Sequence, residues 1–430
     1  IAKLHGMNPA PAEKCRVLEL GCGNGLNLNW LAYNLPESEF VGVDLAQTHI
    51  NEAKKNVADL ELRNVNFFQQ DVLEITKKTF AKFDYIIAHG LFSWVPEVVR
   101  QKILSLYGEL LNPNGVGFIS YNVYPGCYRR RIVADMMRFH TQRFENPVEK
   151  VQQGVAFIDF LTNHTTTPVY QEMLKYELES LAKRPLENIF HDDFSEVNQP
   201  FYFTEFISEA EKHNLKFVSE SESFPSQRDN LPEEVSQVFE NISRNTIEYE
   251  QYSDFLNCRR FRQTLLCKKD AALETEISPL KITDFYISSL IKPLSPSIDL
   301  SPDTSKQFLT EKGEKFEISH NLTKVVLSSL VNIGSHPIKF NDLIEKANEI
   351  LQAQGIIYQD LEKESEITAS ILLQLYSPFA IGFHTTKPNA LDYVSEKPAV
   401  NKFALWQLNR ENLATNFHGV SLNIQDDFIC

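Results

Sequence analysis

The sequence of 430 residues predicts an α/β fold, in which a doubly wound parallel sheet carries a helical insertion and is followed by a helix-rich C-terminal domain. Three observations support this class. Short apolar strands alternate with helical segments over residues 1–126, a glycine cluster directly follows the first strand, and most later segments have helical apolar spacing. Strands that alternate with helices are typical of a parallel sheet covered on both faces.

The alternating elements occupy the first 126 residues. The predicted strands are 16–20, 39–44, 66–71, 83–88 and 116–121, and the predicted helices are 27–35, 48–60 and 96–111. The last helix is expected to end before Asn112-Pro113-Asn114-Gly115, because proline and glycine interrupt helices.

The pattern then changes. Residues 127–198 show helical spacing without a convincing strand, whereas 215–221 and 261–267 are predicted to be the last two strands of the same sheet. We therefore predict a core formed by 1–126 plus 199–270 and a helical insertion at 127–198 with a regulatory or dimerisation role. A Pro- and Ser-rich stretch follows residue 270, and residues 271–430 are predicted to form a separate helix-rich domain without a chemical motif.

Composition and charge disfavour several functional classes. The net charge is 42 − 57 = −15, which opposes attraction to nucleic acid, so we predict no nucleic-acid partner. No apolar run reaches the ~18–20 residues of a membrane helix, and we predict no membrane insertion. The six cysteines form no C-x-x-C pair, which argues against a structural zinc site and favours a reducing, cytoplasmic location.

The most informative segment is Gly21-Cys22-Gly23-Asn24-Gly25, which joins the first strand to the first helix. Glycines let the backbone turn sharply and approach a ligand closely, although an ordinary strand–helix turn is the alternative. Asp44 ends the second strand, 19 residues after Gly25, where a carboxylate can accept both hydroxyls of a ribose. Asp71 ends the third strand, within reach of an adenine amine.

A nicotinamide cofactor would suit Asp44 equally well, but three features oppose it. The glycine spacing is G-x-G-x-G rather than G-x-G-x-x-G, and no cluster of Lys or Arg stands near the loop to bind phosphates. Glu19 precedes the first glycine by two residues, where an anion would meet positive charge on a ligand.

This pattern resembles the class I S-adenosylmethionine-dependent methyltransferases, which have a Rossmann-like sheet. The resemblance rests on 19–25, Asp44, Asp71 and 111–115. It implies S-adenosylmethionine as cofactor, S-adenosylhomocysteine as product and no metal. It places Glu19, Gly21 and Gly23 at the methionine part, Asp44 at the ribose and Asp71 at the adenine. Further cofactor-lining residues are predicted to be Cys22, Asn24, Leu45, Gln70, Val72, His89 and Gly90.

Two segments that follow strands four and five are expected to face the methyl acceptor. They are 88–96, with a His-Gly-x-x-Ser-Trp-Val-Pro pattern, and 120–126, with Ser-Tyr-Asn-x-Tyr-Pro-Gly. The fourth strand lacks the Asn/Asp-Pro-Pro-aromatic motif of enzymes that methylate glutamine or adenine. The two segments, with 191–194 and 198–203, resemble bacterial methyltransferases that carry a methyltransferase regulatory domain, above all rickettsial protein-lysine methyltransferases of outer membrane protein B.

That resemblance implies a protein-lysine N-methyltransferase whose partner is a polypeptide presenting lysines, such as an outer membrane protein. A free lysine has a pKa of about 10.4, so deprotonating it at pH 7 costs roughly 4–5 kcal/mol. An aromatic channel lowers this cost by disfavouring the ammonium. The predicted catalytic residues are Trp94, Tyr121 and Tyr124 as walls of the channel, and Tyr121 and Asn122 as acceptors of an amine N–H.

Alternatives remain open on the sequence alone. The enzyme can instead methylate RNA or a small metabolite, or the chain can be a non-catalytic regulatory protein that binds S-adenosylmethionine. The aromatic residues at the strand ends can be packed core, and His191-Asp192-Asp193 can be a solvated helix start or, less favoured, a metal site. A homodimer is a further expectation from the family resemblance and the extra helices.

Overall fold

The computed structural model describes residues 1–221, 231–274, 277–301, 303–334, 336–376, 380–387, 400–410, 412–415 and 421–423. Its centre is a seven-stranded sheet of order β3-β2-β1-β4-β5-β7-β6. The strands are β1 Arg16–Leu20, β2 Glu39–Asp44, β3 Val65–Gln69, β4 Phe83–Ala88, β5 Leu111–Asn122, β6 Leu215–Glu220 and β7 Phe261–Lys268. The predicted α/β class is therefore confirmed.

Strands β1 to β5 are parallel, whereas β7 runs antiparallel to both β5 and β6. The sheet is thus mixed rather than wholly parallel. The two predicted late strands both belong to it, since β7 inserts between β5 and β6. This order brings the carboxyl ends of the five parallel strands to one edge, where open α/β sheets bind ligands.

Helices cover both faces of the sheet because alternate residues of each strand point to opposite sides. Leu18 and Leu20 of β1 belong to the larger apolar cluster, and Val17 belongs to a second cluster on the other face. The helices that contribute to these clusters are α1 Leu26–Asn34, α2 Gln47–Leu60, α3 Glu97–Leu110 and α8 Phe203–Lys212.

Residues 127–194 form four helices that pack on one another. They are α4 Cys127–His140, α5 Pro147–His164, α6 Pro168–Ala182 and α7 Leu186–Phe194. Their buried residues, including Met137 and Leu174, form a separate apolar cluster. Prolines begin α5 and α6, where a missing backbone N–H costs nothing.

The acids predicted at a helix start lie instead in the last turn of α7. Arg130 and Arg184 both bind Asp192 and Asp193, with N–O distances of 2.7–3.1 Å. These carboxylates are therefore neutralised by guanidinium groups.

Two helices, α9 Glu233–Ile242 and α10 Thr246–Asn257, precede β7. Beyond β7, the chain forms α11 Asn321–Ile333, α12 Phe340–Ala353, α13 Leu361–Gln374 and α14 Lys402–Leu408. It also forms short strands that were not predicted: β8 Tyr286–Ser289, β9 Lys292–Pro293, β10 Lys306–Leu309, β11 Lys315–Ile318, β12 Ile338–Lys339, β13 Ile381–His384, β14 Leu413–Thr415 and β15 Ser421–Asn423. Within the described ranges, none of the helices has both the length and the apolar character needed to cross a bilayer.

Candidate active site

The glycine loop has the backbone geometry that its sequence predicted. Gly21, Gly23 and Gly25 have φ angles of 71°, 54° and 74°, in the left-handed region that favours glycine. At Gly25 a side chain is also sterically excluded, because a Cβ would lie 2.4 Å from Cζ of Phe67. The backbone N–H of Gly21 donates to the carbonyl of Val43 at 2.8 Å, which ties the loop to β2.

Asp44 joins the end of β2 to the glycine loop. Its Oδ2 accepts from the N–H of Gly23 at 2.9 Å, and its Oδ1 accepts from the N–H of Ala46 at 2.8 Å. The carboxylate is only 15% exposed, so its orientation is fixed by backbone donors. A fixed carboxylate with lone pairs directed at the strand edge suits the hydroxyl groups of a ribose.

Glu19 lies at the end of β1 and is buried. Its Oε1 accepts from Nδ2 of Asn27 at 3.0 Å, whereas its Oε2 is buried and has no hydrogen-bond partner among the described residues. Burial raises the pKa of Glu19 to about 7, and the bond from Asn27 only partly opposes that rise. An unpartnered buried carboxylate oxygen fits a ligand that brings a positive charge, such as the ammonium of a methionine moiety.

The end of β3 lies beside Asp44, at the end of β2. The N–H of Gln70 donates to the carbonyl of Asp44 at 3.0 Å, and Asp71 caps the turn Val72–Glu74 by accepting from the N–H of Leu73 at 2.9 Å. Gln70, Asp71 and Val72 are half-buried. The structure therefore brings the predicted residues of β1, β2 and β3 to the same edge.

The other residues predicted to line the cofactor differ in exposure. Leu45 is 66% exposed, whereas Cys22 is buried, and burial raises the pKa of its thiol. Asn24 donates from Nδ2 to Oε1 of Glu52 at 3.3 Å. Cys22 and Asn24 thus belong to the glycine loop, and Leu45 directly follows Asp44.

His89 and Gly90 follow β4. The ring centroid of His89 lies 5.9 Å from that of Phe118 and 6.5 Å from that of Phe261. Gly90 has a φ of 64°, and its N–H donates to Oγ of Ser120 at 2.9 Å. A cavity of about 730 Å³ is lined in part by Glu19, Asn27 and His89, so the polar end of β1 opens into it.

The acceptor segments meet at the ends of β4 and β5. Oγ of Ser93 accepts from the N–H of Asn122 at 2.8 Å, and the carbonyl of Ser93 accepts from the N–H of Gln199 at 2.8 Å. The indole N–H of Trp94 is buried and has no partner among the described residues. Sequence reasoning gave no role to Ser93, although it lies inside the motif that contains Trp94.

The amide of Asn122 is oriented by a chain of hydrogen bonds. Nδ2 of Asn198 donates to the carbonyl of Asp192 at 3.1 Å, so Oδ1 of Asn198 is left to accept from Nδ2 of Asn122 at 2.9 Å. Oδ1 of Asn122 is thereby directed away from this chain and available as an acceptor. The sequence motif included Asn198, but nothing in it indicated a contact with Asn122.

Tyr121 does not line an acceptor channel, which corrects the sequence-based prediction. Its side chain is fully buried and stacks on Phe206 with ring centroids 3.9 Å apart. Its hydroxyl bonds Oγ1 of Thr264 at 2.9 Å, and Thr264 in turn donates to Glu220. Because Thr264 uses its proton on the carboxylate, Tyr121 is the donor to Thr264 and belongs to the core.

Tyr124, two residues beyond the end of β5, is buried within an aromatic group. Its ring stacks on Tyr128 at 4.1 Å between centroids, and the ring of Tyr202 lies at 5.4 Å. Nη1 of Arg131 donates to its hydroxyl at 2.7 Å. Tyr124 therefore presents a ring held in place from two sides.

In the described part of the chain, no group of three or more His, Cys, Asp or Glu residues could hold a metal ion.

Comparison with protein families gives two matches. A methyltransferase domain model matches residues 11–178, and a model described as a predicted methyltransferase regulatory domain matches residues 186–268. The first match contains the glycine loop and the acceptor segments, and the second contains the last two strands of the sheet.

Relatives of known sequence and structure agree with these models. A protein of Rickettsia prowazekii is 34% identical over 416 residues, which cover 95% of this chain and 73% of the relative. A second R. prowazekii protein is 37% identical over 221 residues, covering 51% of this chain and 88% of the relative. The solved structure of PKMT2 from Rickettsia typhi in complex with AdoHcy is 30% identical, with a TM-score of 0.84 and coverage of 98% of this chain and 82% of that one.

The glycine loop, the carboxylates of β1 and β2 and the sheet order thus occur in a chain that matches, over most of its length, a protein solved with AdoHcy. The cofactor is S-adenosylmethionine. This chain belongs to the class I S-adenosylmethionine-dependent methyltransferases that carry a methyltransferase regulatory domain.

Proposed function

We propose that this methyltransferase transfers methyl groups to lysine side chains of a polypeptide, with an outer membrane protein as the substrate. The observation that carries the proposal is the oriented amide of Asn122, which belongs to the segment of Tyr124 and whose backbone N–H donates to Ser93, next to Trp94. The resemblance to rickettsial protein-lysine methyltransferases supports the same assignment.

Within this proposal the cofactor occupies the carboxyl ends of β1, β2 and β3. Glu19 holds the ammonium of the methionine part, Asp44 holds the ribose and Asp71 faces the adenine. Gly21 and Gly23 let the backbone approach the methionine part, and Cys22, Asn24, Leu45, Gln70, Val72, His89 and Gly90 form the surrounding surface. Gly23 supports this placement because a Cβ built there meets no atom within 4 Å, so the loop leaves space beside the backbone.

Bound S-adenosylmethionine supplies an electrophilic methyl group on sulfur, and its transfer forms an N–C bond and breaks an S–C bond, leaving S-adenosylhomocysteine. The residues of the chain need only present a neutral amine in line. Oδ1 of Asn122 accepts one amine N–H and so directs the nitrogen lone pair. The rings of Trp94 and Tyr124 exclude water and so disfavour the ammonium form of the substrate lysine. The lysine therefore releases its proton to solvent before the methyl group is transferred.

Labelled S-adenosylmethionine and recombinant outer membrane protein B test the proposal. After incubation with the enzyme, the label is expected in methylated lysine when the protein is hydrolysed and its amino acids are separated. Label in RNA or in a small metabolite of a cell extract, with none in lysine, would replace it by one of the alternative methyltransferase functions. Cofactor binding without label in any acceptor would favour a regulatory protein.

Asn122→Ala is expected to lower kcat for lysine methylation by about 100-fold, because loss of an orienting contact misplaces the reacting nitrogen. The affinity for AdoHcy is expected to stay within about twofold, since Asn122 contacts Ser93 and Asn198 rather than the cofactor loop. Steady-state kinetics and calorimetry measure the two quantities. The matched control is Asn163→Ala, an exposed amide in α5. A variant with kcat near wild type would remove Asn122 from the mechanism.

The affinity for AdoHcy is expected to fall about tenfold between pH 8 and pH 6, because Glu19 becomes protonated as the pH drops through its raised pKa of about 7. The ligand's ammonium stays charged over this decrease, so only the attraction from the carboxylate is lost. Calorimetry across the pH range measures the effect. In Glu19→Gln the affinity should be weak and nearly independent of pH, and an equally steep profile in that variant would assign the titration to another group.

The remaining parts of the molecule are proposed to serve the polypeptide substrate. The helices of the insertion 127–198 begin directly after the acceptor segment 120–126, and we propose that they and the domain 271–430 provide binding surface for the polypeptide in a cytoplasmic enzyme. Exposed apolar side chains on the insertion helices, including Phe139, Phe160 and Val169, support a homodimer through this region. A monomer mass by light scattering at micromolar concentration would exclude that dimer.

A further inference from the structure

The segment that contains α14 packs against the two helices that flank the glycine loop. Phe403 is 2% exposed, and its ring centroid lies 5.8 Å from that of Tyr33 in α1. The N–H of Lys402 donates to the hydroxyl of Tyr33 at 3.2 Å, and its Nζ lies 3.1 Å from a carboxylate oxygen of Glu61. A part of the chain remote in sequence therefore covers the cofactor-binding half of the sheet.

Arg410 makes the most specific of these contacts. Its Nη1 donates to Oδ1 of Asn56 at 2.5 Å, and its Nη2 donates to Oδ2 of Asp59 at 2.6 Å. Its guanidinium lies 4.2 Å from the ring centroid of Trp406. Three neighbours thus hold the guanidinium, which can only donate hydrogen bonds.

Asn56 connects Arg410 to the glycine loop through hydrogen bonds of its side-chain amide. Asn56 is fully buried, and its Nδ2 donates to the carbonyl of Asn24 at 3.3 Å. Because Arg410 offers only donors, the amide oxygen of Asn56 must face it, and the amide nitrogen must then face the loop. The carbonyl of Asn24 lies between Gly23 and Gly25, which have no side chains. The N–H of the same peptide, that of Gly25, donates to the carbonyl of Cys22 at 3.0 Å, so Asn56 provides the contact on the carbonyl side.

We propose that Arg410 is a positioning residue for S-adenosylmethionine, acting through Asn56 on the carbonyl of Asn24. We call the hydrogen bonds from Arg410 to Asn56 and from Asn56 to Asn24 the relay. By fixing the carbonyl of Asn24, the relay holds the peptide between Asn24 and Gly25 in the orientation that the cofactor meets. The segment that contains α14 and Arg410 thereby contributes to the cofactor site, although it is not predicted to contact the cofactor itself. The inference does not depend on the nature of the methyl acceptor.

Two variants of the full chain separate this relay from simple packing. Arg410→Ala removes the donor and is expected to weaken AdoHcy binding about five- to tenfold. Asn56→Asp keeps the shape and strengthens the contact with Arg410, but a carboxylate cannot donate to the carbonyl of Asn24. The relay therefore predicts a loss at least as large in Asn56→Asp, because the carboxylate lacks the donor and its oxygen repels the carbonyl of Asn24.

The matched control is Lys402→Ala, which removes an ion pair of the same segment without touching Asn56 and is expected to change the affinity by less than about twofold. Calorimetry gives the AdoHcy affinity, thermal melting shows that each variant is folded, and the KM for S-adenosylmethionine should rise more than kcat falls. If Arg410→Ala does not fold, Arg410→Lys, which keeps the positive charge but places its donors on a single nitrogen, is measured beside Asn56→Asp. Wild-type affinity in folded Asn56→Asp would overturn the proposal.

Discussion

Replacing Asp44 by asparagine is expected to weaken AdoHcy binding about 100-fold, or roughly 2.7 kcal/mol. The carboxylate accepts from the N–H groups of both Gly23 and Ala46, at 2.9 and 2.8 Å. An asparagine has only one acceptor oxygen, so its amide group must face one of these two donors. The bond to Gly23 of the glycine loop or the bond to Ala46 is then lost, although the bond from the N–H of Gly21 to Val43 remains. The ribose also loses a charged acceptor, and hydrogen bonds to charged groups contribute about 1.5–3 kcal/mol each.

Calorimetric titration with AdoHcy measures this loss. Glu37→Gln is a suitable control, because it removes an exposed carboxylate that lies outside the strands of the sheet. The control should bind AdoHcy as the wild type does. If Asp44→Asn bound within about threefold of the wild type, the ribose would not be held by this carboxylate.

Arg262→Ala is expected to destabilise the protein by about 3–5 kcal/mol, because it removes the nearest cation of three carboxylates and leaves Glu220 and Asp254 only Arg259, at 3.5 and 3.8 Å. Arg262 is completely buried and lies 2.8–3.1 Å from carboxylate oxygens of Glu220, Glu250 and Asp254. Burial raises the pKa of Asp254 to about 6, even though Arg262 opposes that rise. Without Arg262, Asp254 and Glu220 would face each other in an environment that disfavours both charges.

Chemical denaturation measures this change in the free energy of unfolding. Arg244→Ala serves as control, since Arg244 pairs with Glu248 across one turn and its side chain is 85% exposed. Because solvent screens exposed ion pairs, the control should unfold almost as the wild type does. A loss below about 1 kcal/mol in Arg262→Ala would mean that the network does not stabilise the last strands of the sheet.

The sheet and the cofactor side could be predicted from the sequence because both depend on local signals. Apolar runs separated by helical spacing predicted the five parallel strands, and the glycines with Glu19 and Asp44 indicated where they bind a ligand. The glycine φ angles and the two hydrogen bonds to Asp44 agree with that interpretation. The antiparallel direction of β7 has no comparable signal, because a single apolar strand does not indicate its direction.

The position of the Tyr121 side chain could not be predicted correctly from the sequence. The fifth strand was predicted to end at Tyr121, and Tyr121 and Asn122 at that end were both expected to face the acceptor. The strand continues to Asn122, and consecutive side chains in a strand point to opposite faces. Asn122 therefore bonds Asn198 beside Ser93, whereas Tyr121 packs on Phe206.

Other features depend on contacts between distant residues. Arg410 and Asn56 are 354 positions apart, and neither belongs to a motif. The strands of the C-terminal region have only two to four residues, which is too short for an alternating pattern to distinguish them from loops. These features arise from tertiary packing rather than from local sequence.

The central claim is that a cofactor at the ends of β1, β2 and β3 faces an amine held by Asn122. A crystal structure of the complex with AdoHcy and a lysine-containing peptide tests it most directly. We expect the ribose hydroxyls on Asp44, the ligand's ammonium on Glu19 and the lysine nitrogen within hydrogen-bond distance of Oδ1 of Asn122. A nucleoside bound elsewhere, or a lysine nitrogen remote from Asn122, would contradict the account.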